Sequence, residues 1–202
     1  LLVIDVGNTN MVFGVFDGDK LIANWRLSTQ SGRTADETGL MIRNLFEYSE
    51  VSVDDIEAII VSSVVPNVMY STLNGIKKFL KKDPIVVRAG IKTGINLKYE
   101  NPRELGSDRI ANAVAAYDEY GGDKPVIFID FGTATTFGVV ANDEKSEHGA
   151  FLGGAIFPGI KLASEALTSG TAKLPRFALA KPENVIGRTT LTNLQSGMFY
   201  GY

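Results

Sequence analysis

Apolar residues in this chain fall into two rhythms: short runs bounded by Gly, Pro and Asp, and longer stretches with helical spacing. Leu1 to Asp5 and Met11 to Phe16 read as two strands, and a turn at Asp17-Gly18-Asp19 leads to a third, Leu21 to Leu27. Thr34 and Glu37 form a capping box ahead of a helix over Ala35 to Tyr48, whose apolar stripe is Met41, Ile42, Leu45, Phe46 and Tyr48. A buried strand, Ile56 to Val61, precedes a helix over Asn67 to Lys82, and Ile85 to Val87 is a short further strand. Ala89 to Pro102 is expected to be irregular. Leu105 to Tyr120 is the next helix, with Ser107 as N-cap and Gly121-Gly122 as its end. Three strands follow, Val126 to Asp130, Thr136 to Val140 and Gly149 to Leu152, with a turn at Asn142-Asp143. The pairs Gly153-Gly154 and Pro158-Gly159 then predict a close backbone approach or a sharp turn before a helix over Ile160 to Thr168.

The three-strand opening thus occurs twice. Placing Asp5 on Asp130 puts Gly7 on Gly132 and Asn8 on Thr133, with apolar runs on both sides, an internal repeat at an offset of 125 residues. Each copy is a β-branched run ending in a carboxylate, a Gly turn with amide or hydroxyl side chains, and a second apolar run. Glycine lets backbone N–H groups approach a phosphate, Thr and Asn add neutral donors, and an Asp at a strand end suits a hydrated divalent ion. One copy alone would read equally well as an ordinary hairpin whose Asp caps the loop. Two matched copies predict a nucleotide site gripped from both sides. A second unit as long as the first would run to about residue 250. The sequence, which also lacks an initiator Met, is therefore expected to be a fragment.

Composition narrows the function classes. The chain has 202 residues, 45% hydrophobic and 21% charged, as expected of a globular protein with one large or two small cores. It has no cysteine, which excludes disulfides, thiolate metal sites and a cysteine nucleophile. A net charge of −3 offers no global field for nucleic acid or acidic membranes, so neither is expected as a partner. The opening apolar run is too short for a signal peptide, no stretch approaches the ~18 apolar residues of a membrane span, and a cytoplasmic location is the default. Lys77, Lys78, Lys81 and Lys82 are read as a solvated helix end. Arg33 is read as solvated before substrate-binding, and His148, the single His, as a surface or interface residue, since no Ser or carboxylate pattern around it suggests a triad. Asp108 and Arg109 sit in the first turn of their helix, where an Asp offsets the helix dipole whether or not it has another role.

Seven stretches in order resemble the type III pantothenate kinases: DVGNTN (Asp5 to Asn10), RTADE (Arg33 to Glu37), SSVVP (Ser62 to Pro66), GSDR (Gly106 to Arg109), DFGTATT (Asp130 to Thr136), GGAIFPG (Gly153 to Gly159) and IGRTT (Ile186 to Thr190). That family is part of the superfamily of acetate and sugar kinases, heat-shock ATPases and actin. The resemblance implies an α/β fold of duplicated ribonuclease-H-like halves, each opening with three antiparallel strands and with the nucleotide cleft between them. The first half would be residues 1–122 and the second 123–202. It also implies transfer of the ATP γ-phosphoryl group to pantothenate, the first step towards coenzyme A.

By carry-over, Asp5 and Asp130 would hold the divalent ion, Mg2+ or another, and Gly7, Asn8, Thr9, Asn10, Gly132, Thr133 and Thr135 the phosphates. Asp108 would be the general base, and Tyr99, Gly106, Ser107, Asp108, Arg109 and Thr190 would bind pantothenate. A monovalent cation, K+ or NH4+, and a homodimer complete the family expectation. Two departures stand out: the family usually has Asn-Thr where this chain has Thr189-Thr190, and its C-terminal Thr-Gly-Gly stretch is absent from these residues. Two other classes compete. One is a non-catalytic relative resembling an accessory factor in transcriptional regulation, against which the three intact Asp positions argue. The other is a further kinase or polyphosphate hydrolase of the superfamily, against which GSDR and GGAIFPG argue. ATP consumption that depends on pantothenate separates all three.

Overall fold

The computed structural model describes residues 1–88 and 90–202. Ala89, the start of the stretch expected to be irregular, lies outside the described residues. By internal contacts the chain divides into two compact units, one of residues 1–126 and 139–153, the other of residues 127–138 and 154–202.

The first unit is built on a five-stranded sheet. Strands β1 (Leu2–Val6), β2 (Asn10–Asp17) and β3 (Lys20–Ser28) form an antiparallel meander. Helix α1 (Ala35–Glu47) leads through a 3-10 turn (Val53–Asp55) to β4 (Ile59–Ser63), and α2 (Pro66–Leu80) to β5 (Ile85–Val86). The order in the sheet is β3-β2-β1-β4-β5, with β4 parallel to both β1 and β5. Parallel pairing needs crossover connections, and these deposit α1 and α2 on the sheet. Within the apolar runs read from sequence, alternate residues are buried: Leu2, Ile4, Val6, Phe13, Val15, Ile59 and Val61 face Ile42, Phe46, Val68, Ile76 and Leu80 from the helices. Trp25 packs on Phe46 with ring centroids 5.2 Å apart. The helices meet at glycine: a Cβ on Gly39 would lie 2.2 Å from the Phe79 ring and 2.8 Å from the Gly75 carbonyl. The capping box of α1 forms as expected. The Glu37 carboxylate accepts from the Thr34 N–H (2.8 Å) and hydroxyl (2.9 Å), and these bonds, the backbone one foremost, hold its pKa below the usual value.

Several boundaries differ from the sequence reading. Residues Ile56 to Ala58 do not join β4, because Ile56 closes the 3-10 turn with its N–H on the Val53 carbonyl. Helix α2 stops at Leu80, not Lys82, because Lys81 takes a left-handed conformation (φ 56°). Its lysines are solvated as expected, Lys77 pairing with Asp83 at 2.9 Å and Lys78 with Asp36 at 2.7 Å on exposed surface, where such pairs add little. The stretch expected to be irregular contains β6 (Asn96–Leu97), which pairs in parallel with Ala150 and Phe151. Two residues whose partner is some fifty positions away leave no local signal. After a second 3-10 turn (Pro102–Glu104), α3 runs over Ser107–Tyr120 with Gly106, not Ser107, as its N-cap.

A second sheet has the order β6-β9-β8-β7, where β7 is Val126–Phe131, β8 Ala134–Ala141 and β9 Ala150–Pro158. Strand β9 extends six residues past the expected Leu152. Gly153, at φ 128°, is a kink inside this strand rather than the end of it. Helices α4 (Ile160–Ser169) and α5 (Thr190–Gly201) follow. Alternate residues of β7, Ile127, Ile129 and Phe131, are exposed.

The fold is mixed α/β, as expected of duplicated ribonuclease-H-like halves. One ionic cluster holds β6 in place. The Asp143 carboxylate accepts from the Lys145 N–H (3.1 Å), Lys98 Nζ (3.0 Å) and Asn96 Nδ2 (2.8 Å). These bonds, the backbone one first, lower its pKa from 3.8 to about 2. A lowered carboxylate pKa stabilises the fold fully above its unfolded value and loses that contribution as pH falls through the folded one. The urea midpoint of Asp143→Asn should therefore lie below wild type by a constant amount above pH 3.8, and the gap should close towards pH 2. A gap independent of pH across that window would show that the carboxylate charge plays no part.

Candidate active site

In the first unit the site residues gather at the carboxyl end of the parallel β1–β4 pair. Asp5, near the end of β1, lies opposite Val12 on one side and Ser62 on the other. The chain then turns at Gly7, whose N–H bonds the Asn10 carbonyl at 2.9 Å. A Cβ there would lie 3.2 Å from that same oxygen. Thr29 ties the loop down from the end of β3, its hydroxyl donating to the Gly7 carbonyl (2.6 Å) and its N–H to the Thr9 carbonyl (3.0 Å). Asn8 and Thr9 are exposed at the tip, and Asn10 begins β2.

The GSDR stretch reaches the same end of the sheet. The Ser107 hydroxyl lies 3.0 Å from the Ser62 hydroxyl, accepts from the Ser63 N–H at 3.0 Å and donates to the Ser63 carbonyl at 3.0 Å. It is thus turned to the sheet, and α3, with Gly106 as its N-cap, has no side-chain cap; Asp108 Oδ1 accepts from the N–H of the next residue, Arg109, at 2.7 Å. Gly106 sits between Val64 and this carboxylate, where a Cβ would lie 2.5 Å from Asp108 Oδ1. Asp5 and Asp108, 103 positions apart, are therefore both fixed to neighbouring residues at one end of β4. In open α/β sheets that end is where ligands bind.

Beyond Asp108 the buried ring of Phe151 collects two further candidates. The Arg109 guanidinium lies 5.3 Å from its centroid and the Tyr99 ring 6.3 Å. Arg109 is 7% exposed, so it is not the solvated side chain that its helix position alone allowed. Phe151 was not singled out by sequence, where it is one more apolar residue of a strand.

Other residues weighed in the sequence take structural places. Arg33 points Nη1 to the Ser28 carbonyl (3.5 Å) and Met41 Sδ (2.9 Å). His148 is partly buried, with its N–H on the Gly94 carbonyl at 3.0 Å and Nδ1 3.7 Å from Asp118.

The second unit carries the other loop. Asp130 is partly buried on β7, and the Gly132 N–H bonds the Ala134 carbonyl at 3.0 Å. Both glycines thus close their loop on the first residue of the next strand, but the second loop is one residue tighter than the first. Gly159, ahead of α4, lies directly against it, with its N–H on the Thr133 carbonyl at 2.9 Å. A Cβ on Gly159 would stand 2.3 Å from the Gly132 oxygen and 2.4 Å from that of Thr133. This is the close approach that the GGAIFPG glycines predicted. Thr135 is buried and its hydroxyl bonds that of Tyr202, whose ring packs edge-on against Phe157 at 5.7 Å. Thr190 is exposed at the first position of α5, after the Thr189 cap. Thr189 and Thr192 line a cavity of about 920 Å³ together with Lys181 and Arg188.

Among the described residues no three acidic or His groups converge on a metal position. Mg2+ keeps most of its waters and takes one or two carboxylates besides substrate phosphates, so a loop carboxylate is a donor of the type it needs. Asp5 and Asp130 are the carboxylates placed beside the two loops. No helix among the described residues is long and apolar enough to cross a membrane.

Two solved structures resemble the chain over most of its length. One, from Campylobacter jejuni and assigned to the Baf family of transcriptional activators, is 22% identical with a TM-score of 0.50, the match covering 100% of this chain and 75% of that one. The other, from Sinorhizobium meliloti and assigned as a 2-dehydro-3-deoxygalactonokinase, is 13% identical with a TM-score of 0.51, covering 88% of this chain and 61% of that one. At such identities they show the fold alone. The family model for type III pantothenate kinases matches residues 1–202, the whole of the sequence, and the chain belongs to the type III pantothenate kinase family.

Proposed function

We propose that the protein transfers the γ-phosphoryl group of ATP to the primary alcohol of pantothenate, giving 4'-phosphopantothenate and ADP. The observation that carries this reading is the placement of Asp5 and Asp108 at one end of the β1–β4 pair, a metal-type carboxylate beside a phosphate-type loop and a second carboxylate on a separate helix. Phosphoryl transfer asks for positioning and charge neutralisation more than covalent chemistry. The loops at Gly7 to Asn10 and at Gly132 to Thr135 would supply N–H, amide and hydroxyl donors to the phosphates. Asp5 and Asp130 would hold Mg2+, which when bound neutralises phosphate charge.

Asp108 takes the proton of the attacking alcohol on Oδ2, since Oδ1 is engaged by the Arg109 N–H. The alcohol oxygen bonds the γ-phosphorus as the bond to the β–γ bridging oxygen breaks. Arg109, with little freedom on Phe151, offers its guanidinium to the pantothenate carboxylate, and Tyr99 on the same ring lines the pocket. Thr190 is assigned to pantothenate by family pattern. A monovalent cation, a homodimer and a cytoplasmic location belong to the same reading, as does the division into halves at residues 1–122 and 123–202.

A screen of small alcohols and acids with the purified protein tests this reading: ATP consumption should require pantothenate. Turnover with a sugar acid and not with pantothenate would move the protein to another kinase class, and no turnover with any acceptor would favour the non-catalytic relative. Asp5→Asn and Asp130→Asn should each weaken Mg-ATP binding about 10- to 100-fold, the loss of one charge-assisted contact, together with turnover. Calorimetry that found unchanged Mg-ATP affinity in both variants would remove the metal assignment.

A further inference from the structure

We propose that Ser62 and Ser107 form a positioning pair that fixes the start of α3, and with it Asp108, against the carboxyl end of the β1–β4 strands. The proposal rests on the kinase reading above and assigns Ser107 a role other than substrate contact. The geometry is that of a missing strand. The β4–β5 register ends at Val61 opposite Val86, and the last inter-strand bond there is Val87 N–H to the Val61 carbonyl at 2.8 Å. Two residues on, at Ser63, the Ser107 hydroxyl both accepts from the N–H and donates to the carbonyl, as a neighbouring strand would.

A hydroxyl has one hydrogen and two lone pairs. With its hydrogen given to the Ser63 carbonyl, Ser107 Oγ has one lone pair for the Ser63 N–H and one for the Ser62 hydroxyl, which must then be the donor across their 3.0 Å contact. All three capacities are used, so the oxygen has no slack in position or rotation. Both serines are 6% exposed, which leaves little room for water to replace either bond.

Ser62 is also the residue that faces Asp5 across β1 and β4. The chain of fixed contacts therefore runs from Asp5 to Ser62 to Ser107 to Asp108, and it sets the separation between the metal-side carboxylate and the carboxylate that takes the alcohol proton. The alternative device, a side-chain cap from Ser107 onto its own helix, would have held α3 together without holding it to β4.

Ser107→Ala should lower kcat about 10- to 100-fold, since displacement of a reacting group by about an ångström costs that much, and should leave the KM for ATP within about twofold. Ser62→Ala keeps both Ser107 bonds to Ser63 and removes only the orienting donor, so it should lower kcat by a smaller factor, again without moving the KM for ATP. The double variant should be no slower than Ser107→Ala, because the Ser62 hydroxyl acts only through Ser107. Should Ser107→Ala fail to fold, Ser62→Ala carries the test alone. Wild-type kcat in the soluble variants, or losses confined to KM or to thermal stability, would overturn the proposal while leaving the kinase reading in place. An inactive wild type with every acceptor would overturn both.

Discussion

Asp108→Asn is expected to lower pantothenate-dependent turnover about 10²- to 10⁴-fold, the range for loss of a general base, with ATP affinity nearly unchanged. The substitution is close to isosteric and keeps an oxygen at Oδ1 for the Arg109 N–H, the one contact by which the side chain serves its helix. Folding and the first turn of α3 should therefore survive, and the loss should appear in kcat. Asp108 is on a helix away in sequence from both glycine loops, so its charge is assigned by the proposal to the acceptor and not to the nucleotide. Calorimetry with Mg-ATP beside steady-state rates separates it from Asp5 and Asp130, whose asparagine variants should lose nucleotide binding too. Near-normal turnover in Asp108→Asn would end the base assignment and make Asp130 the leading candidate. Loss of folding would instead support the view that the carboxylate is a helix cap.

What could be read from sequence here was what is written in consecutive residues. The β1 and β2 apolar runs, the Thr34–Glu37 capping box and the two glycine loops all depend on neighbours within a few positions, and each is found close to where it was expected. The misses involve partners far away. Strand β6 exists because Asn96 and Leu97 meet Ala150 and Phe151, and Ser107, read as an N-cap, is the first helical residue with its hydroxyl on the Ser63 N–H and carbonyl. Phe151 joins the candidate residues only once the fold brings Arg109 and Tyr99 to its ring. The glycines of GGAIFPG show both sides: the pair at Gly153-Gly154, read as a close approach or a sharp turn, lies within β9, whereas Gly159 makes the close approach its residue type implied. Where reading and structure part, local propensity yielded to a tertiary hydrogen bond or strand pairing that offered more.

Gly159→Ala is expected to have a large effect, and to have it on the nucleotide. The added methyl carbon would lie 2.3 and 2.4 Å from the carbonyl oxygens of Gly132 and Thr133, well inside contact distance, and both obstacles are backbone. A side chain could turn away, but a loop closed by the Gly132 N–H on the Ala134 carbonyl has to move as a piece. The Gly159 N–H bond to Thr133 is then stretched or lost as well. Overpacking of this kind costs about 1–3 kcal/mol. Where the loop takes up the strain, ATP affinity should fall about 10- to 100-fold at roughly 1.4 kcal/mol per factor of ten. Gly197→Ala is the control: it lies on the exposed side of α5 in the same unit, nothing stands within 4 Å of its Cβ position, and a helical Gly→Ala change there should be neutral or slightly stabilising. Titration of a non-hydrolysable ATP analogue into both variants reads the outcome. Wild-type affinity in Gly159→Ala, with the fold intact, would mean that the loop between Asp130 and Thr135 does not hold the phosphates. Equal losses in both variants would point to general destabilisation of the unit rather than to the loop. The expected pattern, a loss at Gly159 alone, follows if the Gly132 loop holds phosphate, because the one residue type small enough to stand behind it is the one present.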